Sequence, residues 1–135
     1  MDEGLGAAPK KLLIVEDDFY IRDLYKIEAK NKGYVVYEAA DGEEALSITK
    51  VSKPDIILLD LMLPKITGID VLKTIKSWDE FKDIPIVLFT NVSDQSTQDQ
   101  ARQAGATDYL LKVGHTPSEI IDILGQHVHK ATPQS

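Results

Sequence analysis

No cysteine occurs in the chain, which excludes disulfides and thiolate metal sites. No apolar run approaches the roughly 18 residues a membrane span needs, and the acidic N-terminus lacks a signal-peptide pattern. A cytoplasmic protein without membrane contact is therefore expected. Basic residues are too few for a nucleic-acid surface: 15 Lys and Arg stand against 22 Asp and Glu, for a net charge of −7. Internal repeats, low-complexity segments and a helix-turn-helix pattern are absent as well. What remains is 135 residues with a hydrophobic fraction of 43%, which suits one globular domain with a single core. The acidic balance fits a protein that gathers carboxylates around a divalent cation.

The stretch from Pro54 to Gly68 organises the chain. Residues 56–59 (Ile-Ile-Leu-Leu) form a continuous apolar run of the kind a strand shows when both its faces are buried in a parallel sheet. Asp60 stands where the run ends, and Pro64 and Gly68 punctuate the loop that follows. Four more apolar runs predict strands at 12–15, 34–37, 86–89 and 107–111. Between them lie helical patterns. The first carries Ile21, Leu24, Tyr25 and Glu28 and stops at Gly33; the second opens on the capping box from Asp41 to Glu44. The third carries Ile69, Leu72 and Ile75 and stops near Trp78. Asp94 begins a polar fourth, with Gly105 in C-cap position. Thr116-Pro117-Ser118-Glu119 opens the fifth, which carries Ile120, Ile121, Leu124 and Val128. Five strands alternating with five helices predict an α/β fold with a doubly wound parallel sheet.

Ligands of such sheets sit beyond the carboxyl ends of the strands. There this chain places Glu16 and Asp17, then Asp60, Thr90 and Lys112, after the first, third, fourth and fifth strands. Either Asp17 or Asp18 alone reads as a helix cap, Thr90 alone as a strand-end hydroxyl, and Lys112 alone as a solvated lysine. Their joint occurrence points further. Clustered carboxylates repel one another, and an oxygen-only site with few ligands suits Mg²⁺. With an ammonium and a hydroxyl beside it, Asp60 has the surroundings of a nucleophile that takes a phosphoryl group.

Over residues 11–128 these motifs resemble the receiver domain of two-component response regulators. Glu16 and Asp17 match its acidic pair, Asp60 in Leu58-Leu59-Asp60-Leu61-Met62-Leu63-Pro64 its phospho-accepting aspartate, and Gly68 its loop glycine. Thr90 matches its hydroxyl residue, Lys112 its lysine and Tyr109 its aromatic switch position. The resemblance implies a flavodoxin-like fold with strand order 2-1-3-4-5. It implies that Asp17, Asp60 and the backbone carbonyl of Met62 ligate Mg²⁺, with Mn²⁺ as a substitute and Glu16 acting through water. It further implies phosphoryl transfer from a sensor histidine kinase or histidine phosphotransfer protein onto Asp60, with Thr90 and Tyr109 switching the surface of helix 4, strand 5 and helix 5 toward a protein partner. Such a protein is a regulatory phosphoacceptor that catalyses its own phosphorylation, and not an enzyme acting on a separate substrate. The expected organisation is a tail at 1–10, the receiver at 11–129 and a tail or linker start at 130–135. A stand-alone receiver is the leading reading, ahead of a receiver cut from a longer regulator or hybrid kinase. An aspartate-nucleophile phosphohydrolase would need an acid at position 62, and a flavin carrier a Ser/Thr/Gly-rich loop after Val15. A receiver that only binds partners would not need the full set of acids, Thr90 and Lys112.

Two departures stand out. Receivers usually carry a cis proline after the lysine, where this chain has Val113; a non-proline cis bond costs about 3–4 kcal/mol, so a trans Lys112–Val113 bond is expected, with Gly114 helping the turn. Asn91 follows Thr90 where a smaller residue is usual. Met62 and Val92, two residues past Asp60 and Thr90, are poor at orienting water, which predicts slow self-dephosphorylation. A Met62→Asn variant is expected to lose its phosphate faster than the wild type; decay of the phosphoprotein measures this, and a slower variant contradicts it.

Overall fold

Aliphatic and β-branched runs form five short strands, and the computed structural model describes residues 8–131, with side chains to residue 128. In chain order they are β1 (Lys11–Val15), β2 (Val35–Ala39), β3 (Ile56–Asp60), β4 (Ile86–Thr90) and β5 (Asp108–Leu111). All pair in parallel in one sheet of order β2-β1-β3-β4-β5. The helices are α1 (Phe19–Asn31), α2 (Gly42–Ser52), α3 (Gly68–Ser77), α4 (Gln95–Gln103) and α5 (Pro117–Ala131). A 3₁₀ turn at Asp79–Phe81, not anticipated from the sequence, separates α3 from β4. The expected tails at 1–10 and 130–135 lie mostly outside the described residues, and α5 runs past the expected boundary at 129.

Strand side chains alternate between two cores, one on each face of the sheet. Leu13, Val15, Ile57, Leu59, Ile86 and Leu88 point to one face and pack with Ala45 of α2, Val71, Leu72 and Ile75 of α3 and Ala101 of α4. Leu12, Ile14, Ile56, Leu58, Val87 and Phe89 point to the other and meet Tyr25 and Ala29 of α1 and Ile120, Ile121, Leu124 and Val128 of α5. Each Val, Leu or Ile among them contributes about 1.5–3 kcal/mol on burial. Leu24 corrects the expected face of α1. It is 56% exposed, because the buried stripe runs through Tyr25 and Ala29. The second strand also begins and ends later than its apolar run suggests, with Tyr34 left outside it.

The helix ends follow their local chemistry. Asp18 caps α1, its Oδ1 accepting from the N–H groups of Tyr20 and Ile21. Thr116 and Glu119 form a reciprocal box at α5, each side chain accepting the other's N–H. At α2 the box is displaced by one residue: Asp41 Oδ1 accepts from Glu44 N–H, but Glu44 Oε1 reaches back to Ala40 N–H rather than to the cap residue.

The polar helix α4 buries Ala101 alone, so its N-cap carries an unusual share of its stability. Hydrogen bonds from Thr97, first from its backbone N–H and then from its hydroxyl, hold the Asp94 carboxyl below its ordinary value. A depressed carboxyl contributes stability above its unfolded pKa of about 3.9 and loses it as pH falls through the lower folded value. The protection of the Thr97 and Gln98 amides, taken relative to their intrinsic exchange rate at each pH, is therefore expected to fall below about pH 4. Asp94→Asn should exchange without that acid step; an identical pH dependence in both proteins would contradict the assignment.

Candidate functional site

Apolar strands leave their polar residues at one edge of the sheet, and the ladder itself sets how those residues meet. Asp60 pairs in register with Phe89, and Thr90 with Leu111. Glu16 N–H continues the ladder by donating to Ala39 O at 3.0 Å, and Lys112 N–H does the same to Thr90 O at 2.9 Å. Main-chain bonds thus fix all four positions before any side chain contributes.

Glu16, Asp17 and Asp60 each bring a carboxylate oxygen to within 4.8 Å of the others. Lys112 Nζ sits among them, donating to Glu16 Oε1 at 2.6 Å and to Asp60 Oδ2 at 3.1 Å. Its ammonium also lies 4.8 Å from the centre of the Phe89 ring, which Tyr25 props edge-on from behind. Sequence reasoning missed Phe89, since nothing in an apolar strand marks one side chain as the floor beneath a lysine. Asp60 is 4% exposed, and its other oxygen, Oδ1, accepts from Met62 N–H at 3.1 Å.

Burial disfavours the charge on Lys112, but the hydrogen bond to Glu16 and the charge of Asp60 outweigh it and hold the ammonium above its ordinary pKa. Burial pushes the Glu16 carboxyl up, and Asp60 adds to this, while Lys112 and Asp18 N–H pull it back. These directions conflict for an ion pair. The contacts decide in favour of the charged pair, because Lys112 touches both buried carboxylates.

Three carboxylates against one ammonium leave two negative charges unbalanced, the charge a divalent cation supplies. Hard oxygen donors fit Mg²⁺ or Mn²⁺. The three acids are not equivalent. Glu16 is committed on both oxygens, to Lys112 and to Asp18 N–H. Asp17 is exposed, and its carboxylate engages no other described residue. Asp18, the remaining acid of the triplet, is spent on capping α1.

The other predicted residues fall around this pocket. Thr90 is buried, and its Oγ1 accepts from Val92 N–H at 3.3 Å, which leaves the hydroxyl hydrogen to donate elsewhere. Tyr109 is turned inward, 8% exposed, with its hydroxyl donating to Val92 O at 2.6 Å. Met62 lies at the rim with its side chain 65% exposed. The described residues contain no cis peptide bond, so Lys112–Val113 is trans, and Gly114 takes the turn at φ +95°. Asn91 Oδ1 accepts from Val113 N–H at 3.1 Å.

Fold and pocket together define a flavodoxin-like α/β domain with an acidic, lysine-bridged site at the carboxyl ends of its strands. The chain belongs to the response regulator receiver domain family, whose model matches residues 12–124. It is similar to the probable transcriptional regulator ycf27 of Porphyridium aerugineum, 39% identical over 103 residues that make up 76% of this chain and 42% of that protein. The polar-differentiation response regulator DivK of Brucella anthropi is 33% identical over 104 residues, 77% of this chain and 85% of DivK. Among solved structures, a putative response regulator from Chloroflexus aurantiacus superposes with a TM-score of 0.83 at 33% identity, covering 90% of this chain and 98% of that one. The chain thus spans less than half the length of the ycf27 proteins it matches. No helix among the described residues is long and apolar enough to cross a membrane.

Gly68 keeps the site's backbone in place. Its N–H donates to Leu61 O at 2.8 Å, and a Cβ there would overlap Asp60 O and come within 2.7 Å of Leu61 Cα. Gly68→Ala is expected to destabilise the protein by about 1–3 kcal/mol in urea unfolding. A wild-type midpoint in that variant would show that the loop yields freely.

Proposed function

We propose that this receiver accepts a phosphoryl group on Asp60 from a histidine of a sensor kinase or phosphotransfer protein. The observation that carries this reading is the Lys112 ammonium bridging Glu16 and Asp60 inside a carboxylate cluster short of two positive charges. An Asp60 oxygen attacks the phosphorus of an N-phosphorylated imidazole. A P–O bond forms, the P–N bond breaks, and the ring nitrogen leaves with the electron pair and takes up a proton. Lys112 and the Thr90 hydroxyl meet the charge on the transferred group's oxygens. Asp17, Asp60 and the Met62 backbone carbonyl would hold Mg²⁺ or Mn²⁺, with Glu16 acting through water. The cation, when bound, supplies the charge that lets a dianionic group approach three carboxylates.

The output we assign is regulatory, through the face formed by α4, β5 and α5, in the cytoplasm. Phosphorylation can only bias an equilibrium between existing states. Tyr109 lies inward, tied to the same Val92 whose N–H engages Thr90, so one residue of the β4–α4 loop touches both switch side chains. A protein donor is supported by Tyr20, Leu24 and Ile27, an exposed apolar stripe on the helix that begins just past Glu16 and Asp17. A receiver that forms part of a longer regulator is the second reading, favoured by the share of the ycf27 relatives that the chain spans. A stand-alone receiver would pass the signal to a protein partner, a longer regulator to a further domain of its own chain.

Incubation with acetyl phosphate and Mg²⁺, followed by intact mass, tests the proposal. The expected result is a gain of one phosphate that chelation of Mg²⁺ and Asp60→Ala both abolish. No gain would leave a module that only binds partners, and steady phosphate release would mark a hydrolase.

A further inference from the structure

Asn91 and Val113 meet across the two loops that leave β4 and β5. Each directly follows a polar residue of the pocket: Asn91 comes after Thr90, and Val113 after Lys112. The last main-chain rung between these strands runs from Lys112 N–H to Thr90 O at 2.9 Å. Val113 N–H then donates to Asn91 Oδ1 at 3.1 Å. A side chain thereby adds one rung past the end of the ladder. The bond depends on the residue types present here, because a proline at 113 would have no N–H to give. Just beyond it Gly114 turns the chain away at φ +95°, and the Val113 side chain is 66% exposed, so its packing contributes little to holding the loop.

We propose that Asn91 is a positioning residue for phosphoryl transfer, its bond to Val113 N–H holding the β4 and β5 ends in register so that the Thr90 hydroxyl and Lys112 ammonium converge on one phosphoryl group. The proposal rests on the phosphoacceptor reading above. Its physical basis is the placement of Lys112 between two tethers, its own N–H on Thr90 O and the next N–H on Asn91 Oδ1. With both in place the backbone under Lys112 cannot slide along β4. Its Nζ must reach Glu16 at 2.6 Å and Asp60 at 3.1 Å, contacts that a small shift of the backbone would spoil. Without the outer tether the loop after Lys112 samples more positions, and fewer of them suit transfer. Asn91 itself touches no reacting atom in this account. It acts through the main chain of the residue beside Lys112.

The test is a double-mutant cycle read as the rate of phosphorylation by acetyl phosphate with Mg²⁺, using the full chain. Asn91→Ala is expected to slow the wild type about 3- to 10-fold, which corresponds to about 0.7–1.4 kcal/mol, at an unchanged urea midpoint. In a Val113→Pro background, where the donor is gone, Asn91→Ala should have no further effect. A wild-type rate in Asn91→Ala overturns the proposal. So does an equal loss in both backgrounds, which would mean that Asn91 acts without this bond, or a loss that tracks a lowered urea midpoint. If Val113→Pro does not fold, exchange of the Val113 amide proton decides instead: Asn91→Ala should accelerate it, and equal exchange in both proteins overturns the proposal. A wild type that takes up no phosphate at all would instead sink the phosphoacceptor reading on which this one stands.

Discussion

The Lys112 ammonium is the constraint on which the rest of this site depends. Glu16 and Asp60 are buried at the ends of neighbouring strands, and their charges could not share that space without a cation between them. Lys112 supplies one, held from below by the Phe89 ring and from its own backbone by the β4–β5 ladder. One ammonium still leaves the cluster negative. That residual charge suits the pocket to a divalent cation, and on the function proposed above cation and lysine together would make room for a phosphoryl group.

The sheet presents this edge, and its plan was readable because burial on both faces leaves so few choices. A strand such as Ile56–Asp60, buried throughout, must be apolar until its end, so the first polar residue announces where the chain leaves the core. The same logic located Thr90 and Lys112. Caps were equally legible at α5, where Thr116 and Glu119 bond each other as their spacing implies. The strand order came from the likeness to receivers and from no residue pattern, since periodicity shows that strands are buried and not which neighbour they choose.

What escaped the sequence depended on direction in space rather than on residue type. Asp17 and Asp18 are chemically alike, yet Asp18 caps α1 and Asp17 faces the carboxylate cluster, a division that the likeness to receivers anticipated, that residue type alone left open, and that the backbone after β1 makes. Leu24 fits an apolar helical spacing but sits a third of a turn from the stripe that α1 buries through Tyr25 and Ala29. Tyr109 gave no sign of which way it points; burial and the Val92 carbonyl draw it inward. The Asn91–Val113 contact joins residues distant in sequence, which stood out separately as departures from the receiver pattern, and only the ladder between Thr90 and Lys112 brings them together.

Reduction of the phosphorylated protein with borohydride, followed by peptide mapping, addresses the central claim most directly, because an acyl phosphate is reduced to an alcohol and a free carboxylate is not. The account predicts that the peptide containing Asp60 carries homoserine at position 60, only when Mg²⁺ and a phosphodonor are both present. Reduction at another acid, or at none while the protein still carries phosphate, would contradict it.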